Sequence, residues 1–441
     1  MESFYCIVLL ILAGIPLAMT IQKPVRIFEY PYFMAFTFAA FIMPQTLALI
    51  RFPGDVENES VEAVLLMACL CLAACFVGYR FRPSALIMRW TNRSTDMGRL
   101  LHVGLLFTAI SYAMGTAISN TDVQYTQTGG MTGAGTIILF FAGLAYPGFA
   151  ILLFCFLRRS SIGTGAAAIA GIIPILRDIV TGRRENTAIM VLTIVLALFY
   201  ERHVQPRRLA IVGILIFSML AIPATGQYRR YAGTGNWAGI LGIDLVDTFG
   251  RFLSEESVLE LRNGAAVIES TSQTGHYDFG AAYWNHLVFR YVPAQITGDT
   301  FKQSLTFDTW DFNKNGATET GYRMPVGSTI TGMGDTFQQF GWLGCMFFVL
   351  MGVLFKSMWK ASLAKDALFA RLLYMLTFTS GMRAVTHWTL DFLPGLLYFV
   401  IFVGAAFSYA GVPERRRHAA SSRLGQRHAR LVCRQIDGHI G

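Results

Sequence analysis

The chain has 441 residues and a formal net charge of +9, and 54% of its residues are hydrophobic while only 14% are charged. Soluble domains carry roughly 25% charged residues, so this chain has too few charges to cover a globular surface in water. Its Lys and Arg residues fall mostly in short loops beside apolar runs, which is typical of the positive-inside rule and argues against a nucleic-acid-binding module.

Apolar runs of about 17–23 residues, the length that crosses a hydrocarbon core of about 30 Å, recur along the chain. They lack period-2 alternation, and a helix satisfies every backbone polar group internally, so each run is predicted to be a transmembrane helix. The predicted spans are residues 4–20, 31–50, 61–79, 100–117, 134–156, 163–178, 187–200, 208–224, 335–356, 366–383 and 392–410. The expected fold is an all-α polytopic membrane protein with about ten or eleven transmembrane helices.

The positions of these runs predict four regions. Residues 1–224 form an N-terminal bundle of about eight helices, 225–334 a long extracytoplasmic loop, 335–411 the C-terminal helices, and 412–441 a basic cytoplasmic tail. The first run follows no basic segment and precedes no small-residue cleavage site, so it is interpreted as a span and not as a signal peptide. All seven cysteines lie in or beside apolar runs or in the basic tail, which indicates neither a disulfide framework nor a metal site. No cofactor is expected.

The distribution of positive charge predicts the orientation of the chain. Arginines and lysines cluster in the loop 80–99 and directly after the runs that end near residues 156, 200, 356 and 410. Placing these clusters in the cytoplasm puts the N-terminus outside and the C-terminus inside. Residues 225–334 then lie on the outer face, where the apolar spacing within 252–270 predicts a helix lying on the surface.

An arginine-rich turn, residues 177–186, is predicted on that outer face, where the positive-inside rule disfavours it. One interpretation is structural, with Arg183 or Arg184 paired to Asp178 or Glu185. The other is an anion site, because a guanidinium group can bind two phosphate oxygens at once.

A second arginine pair begins the long outer segment, where Arg229 and Arg230 stand between Tyr228 and Tyr231. The structural interpretation is an aromatic belt at the membrane interface with solvated charges. The functional interpretation extends the anion site and uses the tyrosine rings to stack on sugars. The sequence leaves both interpretations open.

Two positions near the outer face are candidates for a general base. Arg383, His387 and Asp391 follow one another at intervals of four, so they share one side if the tenth helix continues, and the histidine could then accept a proton near neutral pH. His276 and His286 are competing candidates in the long segment. A chance grouping of polar residues in a loop is the alternative.

The second position is Asp335, in the glycine-rich stretch 327–344 at the predicted start of the ninth helix. An acidic residue there could simply cap the helix and its dipole. It could also serve as the general base at the lip of an outer cavity.

This stretch resembles a signature of bacterial oligosaccharide repeat-unit polymerases, the Wzy-type O-antigen and exopolysaccharide polymerases. Gly334-Asp335, followed by Phe340-Gly341-Trp342-Leu343-Gly344, is similar to their GE-x-Y-x-N-F-G-W-x-G motif. Segments similar to the family's R-N/F-N-G … G-x-S-Y … I-P-R stretch and its G-x-R turn are residues 262–264, 277–283, 290–293 and 181–184.

Two positions depart from the family pattern. Asp335 stands where the family usually has Glu, and Ala294 stands where the Arg of I-P-R would be, with Arg290 three residues before the Pro. The resemblance implies a GT-C-like architecture and transfer of a growing glycan from undecaprenyl diphosphate to the sugar of an incoming lipid-linked unit. It places the enzyme at the outer leaflet of a bacterial inner membrane, with chain-length regulator and flippase proteins as partners.

Candidate site residues follow from the patterns and the resemblance together. The candidate diphosphate-binding residues are Arg183, Arg184, Arg229, Arg230, Arg290 and Arg323, the sugar-binding ones are Tyr228, Tyr231 and Tyr283, and the catalytic ones are Asp335 and His387. No metal is required where arginines stabilise the leaving diphosphate.

Two other functions share these features. A ligase that moves a finished glycan from the same carrier needs the same leaving-group site. A transporter or flippase is disfavoured because ionisable residues are scarce within the predicted spans.

Overall fold

The computed structural model describes the chain except residues 92–94, 122–123, 126–130, 181–183, 311, 313–319, 326, 365–366 and 412–441. It also leaves undescribed the side chains of residues 119, 124–125, 131–132, 177–180 and 184–185. Arg183 and the basic tail therefore lie outside the described residues, and of Arg184 only its place at the start of a helix is described.

The described chain is helical almost throughout. The N-terminal helices are α1 (Glu2–Gln22), α2 (Tyr30–Thr37), α3 (Met43–Arg51), α4 (Asn58–Arg80), α5 (Ala85–Thr91), α6 (Met97–Ser119), α7 (Ala134–Ala142), α8 (Ala145–Arg159), α9 (Ile162–Val180), α10 (Arg184–Arg202) and α11 (Arg208–Ala221). The long segment holds α12 (Thr225–Gly233), α13 (Trp237–Leu241), α14 (Leu245–Ser254), α15 (Glu260–Thr274), α16 (Ala281–Tyr291), α17 (Ala294–Thr297) and α18 (Asp299–Ser304). The C-terminal helices are α19 (Thr331–Phe340), α20 (Met346–Ser362), α21 (Leu368–Thr386) and α22 (Phe392–Ala410). The other described elements are short. They are two 3-10 helices (Pro24–Phe28, Gly341–Cys345), a π-helical stretch (Phe38–Ile42) and a pair of two-residue strands, β1 (Gln124–Tyr125) and β2 (Met131–Thr132).

Seven helical segments within the described residues are long and apolar enough to cross a membrane. They are Glu2–Gln22, Tyr30–Arg51, Asn58–Arg80, Met97–Ile118, Ala134–Arg159, Thr331–Ser362 and Phe392–Ala410. The pair α11 and α12, bent by 70°, would make an eighth. An all-α polytopic membrane protein is thereby confirmed at the level of class.

The predicted spans 163–178, 187–200 and 366–383 also fall on helices, namely α9, α10 and α21, but these are not among the seven. The α21 helix carries two arginines, Arg371 and Arg383, which lower its apolar character. Within the described residues, length and composition support seven spans, or eight with the bent pair, against the ten or eleven predicted; α9 is counted there only over Ile162–Leu176.

One end of the bundle is rich in Arg and Lys side chains that contact neighbouring segments. Glu201 at the end of α10 accepts from Arg158 of α8 and from Arg371 of α21, with N–O distances of 2.9 Å in both pairs. Further contacts at this end join Arg208 to the Gln22 carbonyl, Arg99 to the Tyr409 carbonyl, Lys356 to the Tyr79 ring and Ser84 to Ser357. We call this end the basic face; it gathers cations that the sequence assigned to the cytoplasm.

The described residues between 225 and 334 lie at the opposite end, the cavity face, where α15 packs closely against other helices. Residues Leu261 to Thr271 of α15 are all buried, because α15 lies against α4 and α19. The predicted surface-lying helix over 252–270 is therefore wrong. The helix α14 ends at Ser254, and α15, which begins at Glu260, is buried in the core. The apolar spacing in the sequence predicts one hydrophobic face for this helix. In the structure, α4 and α19 also bury its small and polar residues.

Two glycines allow α15 and α19 to touch. A Cβ added at Gly264 would lie 2.7 Å from the Ile330 carbonyl oxygen, and one added at Gly334 would lie 2.7 Å from Cα of Gly264. The neighbouring Asn263 is fully buried and donates to Ser328 Oγ and the Thr329 carbonyl, at 2.8 Å each. The motif at 262–264 thus fastens the long segment to the membrane helices.

Candidate functional site

A cavity of about 640 Å³ opens on the cavity face between α7, α16 and the start of α22; we call it the groove. Its walls are mainly apolar, with Ile137, Phe140 and Phe141 of α7 opposite Phe289 and Ile296. The α7 wall of the groove belongs to the apolar segment Ala134–Arg159, which is long enough to cross a membrane. Such a shape suits a ligand with a long hydrocarbon chain.

Two cations line the groove beside these apolar walls. The Arg290 guanidinium lies 5.3 Å from the centre of the Tyr398 ring, and Lys302 Nζ lies 4.2 Å from the centre of the Phe289 ring. Neither forms a salt bridge with any carboxylate among the described residues. Burial lowers the pKa of the Lys302 ammonium. The groove therefore offers two cations that form no salt bridge among the described residues; Arg290 is held by a ring, and Lys302 is held by the ring and the carbonyl of Phe289.

A polar cluster around Asp391 forms the inner end of the groove. Asp391 Oδ2 accepts from Arg383 Nη2 and Trp388 Nε1, both at 2.7 Å, and Oδ1 lies 3.5 Å from His286 Nδ1. Burial disfavours the charged carboxylate, but the contacts with His286, Arg383 and Trp388 outweigh it, so the pKa of Asp391 lies well below its usual range. The anionic Asp391 orients the imidazole of His286.

Asp335 holds the turn that presents this cluster. It is 1% exposed, and its Oδ2 accepts hydrogen bonds from the backbone and hydroxyl of Thr389 and from the backbone N–H of Leu390. Its Oδ1 is buried without a hydrogen-bond partner among the described residues. The carboxylate thus fixes residues 389–390 directly before Asp391, away from the open volume of the groove.

A second cavity of about 470 Å³, which we call the chamber, adjoins the groove at His286, Phe289 and Trp388. Its lining is mainly apolar and aromatic, with a polar part formed by residues that include Asp278, Gln338 and Gln339. The chain reaches this arrangement because residues 278–279 donate their backbone N–H groups to the carbonyls of Gln338 and Gln339 at the end of α19.

The predicted arginines are distributed over several places. Arg290 lines the groove, whereas Arg229 lines a third cavity of about 380 Å³ that also contains Glu260 and meets the chamber at Ser328. Arg230 and Arg323 are exposed and line none of these three cavities. The four predicted arginines whose side chains are described, Arg229, Arg230, Arg290 and Arg323, therefore do not lie in one cavity.

The other predicted residues are also separated. His387 follows the end of α21 at Thr386, so Arg383, His387 and Asp391 do not share one continuous helix, and Nδ1 of His387 lies 2.9 Å from the Thr386 hydroxyl. The histidine that contacts Asp391 is His286, a competing candidate in the sequence.

The predicted sugar-binding tyrosines lie outside the chamber lining. The Tyr283 hydroxyl lies 2.6 Å from Thr389 Oγ1, and its ring stacks on Phe347 at 5.5 Å, which makes it part of the packing around Asp335. Tyr228 and Tyr231 lie on α12 and are half-buried.

Sequence reasoning gave no role to Lys302, Trp310, Trp388, Gln338 or Gln339. The one available signal was the pair Gln338-Gln339 inside an otherwise apolar run, since buried amides in a span need partners. Among the described residues, no group of three or more His, Cys, Asp or Glu side chains could hold a metal ion.

Comparison with families of known proteins, with curated proteins and with solved structures finds no match to this chain. Arguments about its function therefore rest on the chemistry of the groove and the chamber.

Proposed function

We propose that this protein is a membrane glycosyltransferase that polymerises oligosaccharide repeat units carried on undecaprenyl diphosphate. The observation that carries the proposal is the groove, in which apolar walls lie beside Arg290 and Lys302, two cations without an acidic partner among the described residues. A polyprenyl diphosphate has matching chemistry, since its chain is apolar and its head is a multivalent anion. The motif resemblance at 327–344 agrees with this assignment.

Arg290 and Lys302 hold the diphosphate and stabilise the charge that develops as it leaves. Their rings restrict them in position: Tyr398 lies beneath the guanidinium and Phe289 beneath the ammonium. Cations that are already ordered lose less entropy on binding than free surface side chains. The polyprenyl chain then runs along α7 toward the bilayer.

His286 serves as the general base in this proposal. A hydroxyl oxygen of the acceptor sugar attacks the anomeric carbon of the donor, the bond from that carbon to the diphosphate oxygen breaks, and the diphosphate leaves with the electron pair. The hydroxyl proton passes to His286, and Asp391 stabilises the imidazolium that forms. Asp335 is a positioning residue for the turn that holds Asp391.

An acceptor could approach by its own route, because the third cavity with Arg229 meets the chamber at Ser328. This assignment gives Arg229 the incoming lipid-linked unit and Arg290 the donor. The full proposal includes a GT-C-like architecture, an outward-facing cavity face and residence in a bacterial inner membrane. The gathering of cations on the basic face supports that orientation.

Deletion of the gene, followed by analysis of lipid-linked glycans, tests the proposal. Accumulation of single repeat units on undecaprenyl diphosphate is expected, and complementation with Arg290→Ala should leave long-chain polysaccharide reduced at least a hundredfold at equal expression. Arg251→Ala is the matched control, because Arg251 lies in the same segment but is half-exposed and paired with Asp247.

Other outcomes would assign the protein differently. Accumulation of full-length lipid-linked polymer would indicate a ligase, and flipping by the purified protein in liposomes without elongation would indicate a transporter. Normal polysaccharide from Arg290→Ala would remove the groove from the mechanism.

A further inference from the structure

The chamber contains a rigid polar wall built around Asp278. Its Oδ1 accepts from the Trp310 backbone N–H at 3.0 Å, and its Oδ2 accepts from Gln338 Nε2 at 3.0 Å and Gln339 Nε2 at 3.1 Å. Gln338 Nε2 also donates to the Trp310 carbonyl at 2.8 Å, and His276 stacks on the Trp310 ring at 4.9 Å. The backbone N–H and carbonyl of Trp310 are therefore held by hydrogen bonds, and its ring is held by stacking on His276. The side-chain amides of Gln338 and Gln339 are held by Asp278.

This wall leaves one donor and one acceptor unused. The indole Nε1–H of Trp310 and the amide Oε1 of Gln339 are buried without a hydrogen-bond partner among the described residues, and Gln339 is only 1% exposed. The amide orientation is set by Asp278, which takes the Nε2 donor of Gln339 and so leaves the oxygen available. A buried polar atom without a hydrogen-bond partner is destabilising, so such a pair in a cavity wall indicates a ligand.

Hydroxyl groups suit both atoms, since a hydroxyl can accept from the indole N–H or donate to the amide oxygen, and a sugar ring carries several of them. Aromatic residues line the same cavity, including Trp310, Trp388 and Phe312, and they offer apolar surface to the C–H faces of a sugar ring. The volume of about 470 Å³ lies within the usual range of ligand pockets, about 300–1,000 Å³.

The charge of the chamber selects among sugars. No Lys or Arg occurs among the described residues that line it, and its titratable members are Asp278 and His286. All three partners of Asp278 donate to it, although burial raises the pKa of this carboxyl. A carboxylated or sulfated sugar would lie near the Asp278 carboxylate with no Lys or Arg among the described lining residues to bind it, so charge repulsion disfavours it.

We propose that the chamber binds an uncharged sugar ring of the donor unit through Trp310 and Gln339, and that it excludes acidic sugars. The proposal rests on the proposed function in that the adjoining groove supplies the lipid diphosphate. It names the substrate class: a repeat unit whose sugar next to the diphosphate is neutral.

Saturation-transfer NMR on the purified full-length protein in detergent tests this, with methyl glucoside and glucuronate as probes at millimolar concentrations. Methyl glucoside should bind at least tenfold more tightly than glucuronate. Trp310→Phe keeps an aromatic ring but loses the N–H, and it should weaken methyl glucoside binding about tenfold, the value of one buried hydrogen bond. Trp237→Phe, at an exposed tryptophan outside the chamber, is the matched control and should bind as the wild type does.

Equal or tighter binding of glucuronate would overturn the proposal, as would unchanged binding in Trp310→Phe. A thermal unfolding midpoint for each variant separates loss of the site from loss of the fold. Binding of undecaprenyl diphosphate, measured on the same samples, separates the two proposals. If it persists while neither sugar binds, the chamber assignment fails alone; if it is absent while methyl glucoside binds, the groove assignment fails alone.

Discussion

The two ends of the bundle both present arginines, but they use them in opposite ways. On the basic face, Arg158 and Arg371 share Glu201, and all three side chains are largely buried between helices. On the cavity face, Arg290 lies over an aromatic ring in an open groove with no acidic partner among the described residues. The first arrangement joins α8, α10 and α21, and the second leaves charge available to a ligand.

The contrast between these two groups of arginines shows that residue type alone does not identify an anion site. A guanidinium that already has a carboxylate partner has little binding energy left for phosphate, whereas one held by a ring retains its hydrogen-bond donors. Pairing, and not the presence of arginine, separates structural from functional cations in this protein. Three experiments test whether paired and unpaired cations differ in this way.

The largest effect is expected in the groove. The double variant Arg290→Ala/Lys302→Ala should weaken undecaprenyl diphosphate binding at least a hundredfold, because two charge-assisted interactions are lost. The midpoint of thermal unfolding should change little, since neither cation has a salt bridge to lose. Arg158→Ala should show the reverse pattern, with unchanged affinity and reduced stability; equal affinity in the double variant would contradict the comparison.

A smaller effect, on stability, is expected at the basic face. Glu201→Ala leaves two largely buried arginines without their shared carboxylate, and this should lower the free energy of unfolding by about 3 kcal/mol. The control is Asp247→Ala, which breaks the half-exposed pair with Arg251 and should cost less than about 1 kcal/mol. Denaturation of both variants in the same detergent gives the values; similar losses would mean that burial of the cluster does not matter.

The smallest effect is a dependence on pH at the inner end of the groove. The pKa of Asp391 is depressed in the folded protein, so its contribution to stability is complete above the ordinary value of 3.8 and is lost as the pH falls below it. The unfolding midpoint of the wild type should therefore decrease on acidification below about pH 4. Asp391→Asn should be less stable at neutral pH and should show a flatter acid dependence; parallel curves would exclude this role of Asp391.

The sequence allowed the membrane class to be predicted, and it supplied several site residues without their arrangement. Arg290, Asp391 and His286 were all named, but Asp391 was grouped with Arg383 and His387 because the three residues follow one another at intervals of four. The structure pairs it with His286 instead, since α21 ends at Thr386 and α16 packs beside the turn. Contacts between residues so far apart leave no periodic pattern in a sequence.

Asp335 illustrates the same limit. Its position at the start of an apolar run predicted either a helix cap or a base, yet its carboxylate binds the turn at 389–390, a contact that depends on how α19 meets α21. The chamber was not predicted at all, because Asp278, Trp310 and Gln339 come together only when three separate segments meet.

The amino-acid sequence is enough to predict that this chain is a helical membrane protein with a large segment outside the apolar spans. Lipid acts on each segment independently, so an apolar run of sufficient length is enough to specify a span. The tertiary structure is needed to show which cations form salt bridges, which histidine contacts a carboxylate and where the cavities lie. Those features depend on distances between helices, and distances are set by packing across the whole fold and not by any local run of residues.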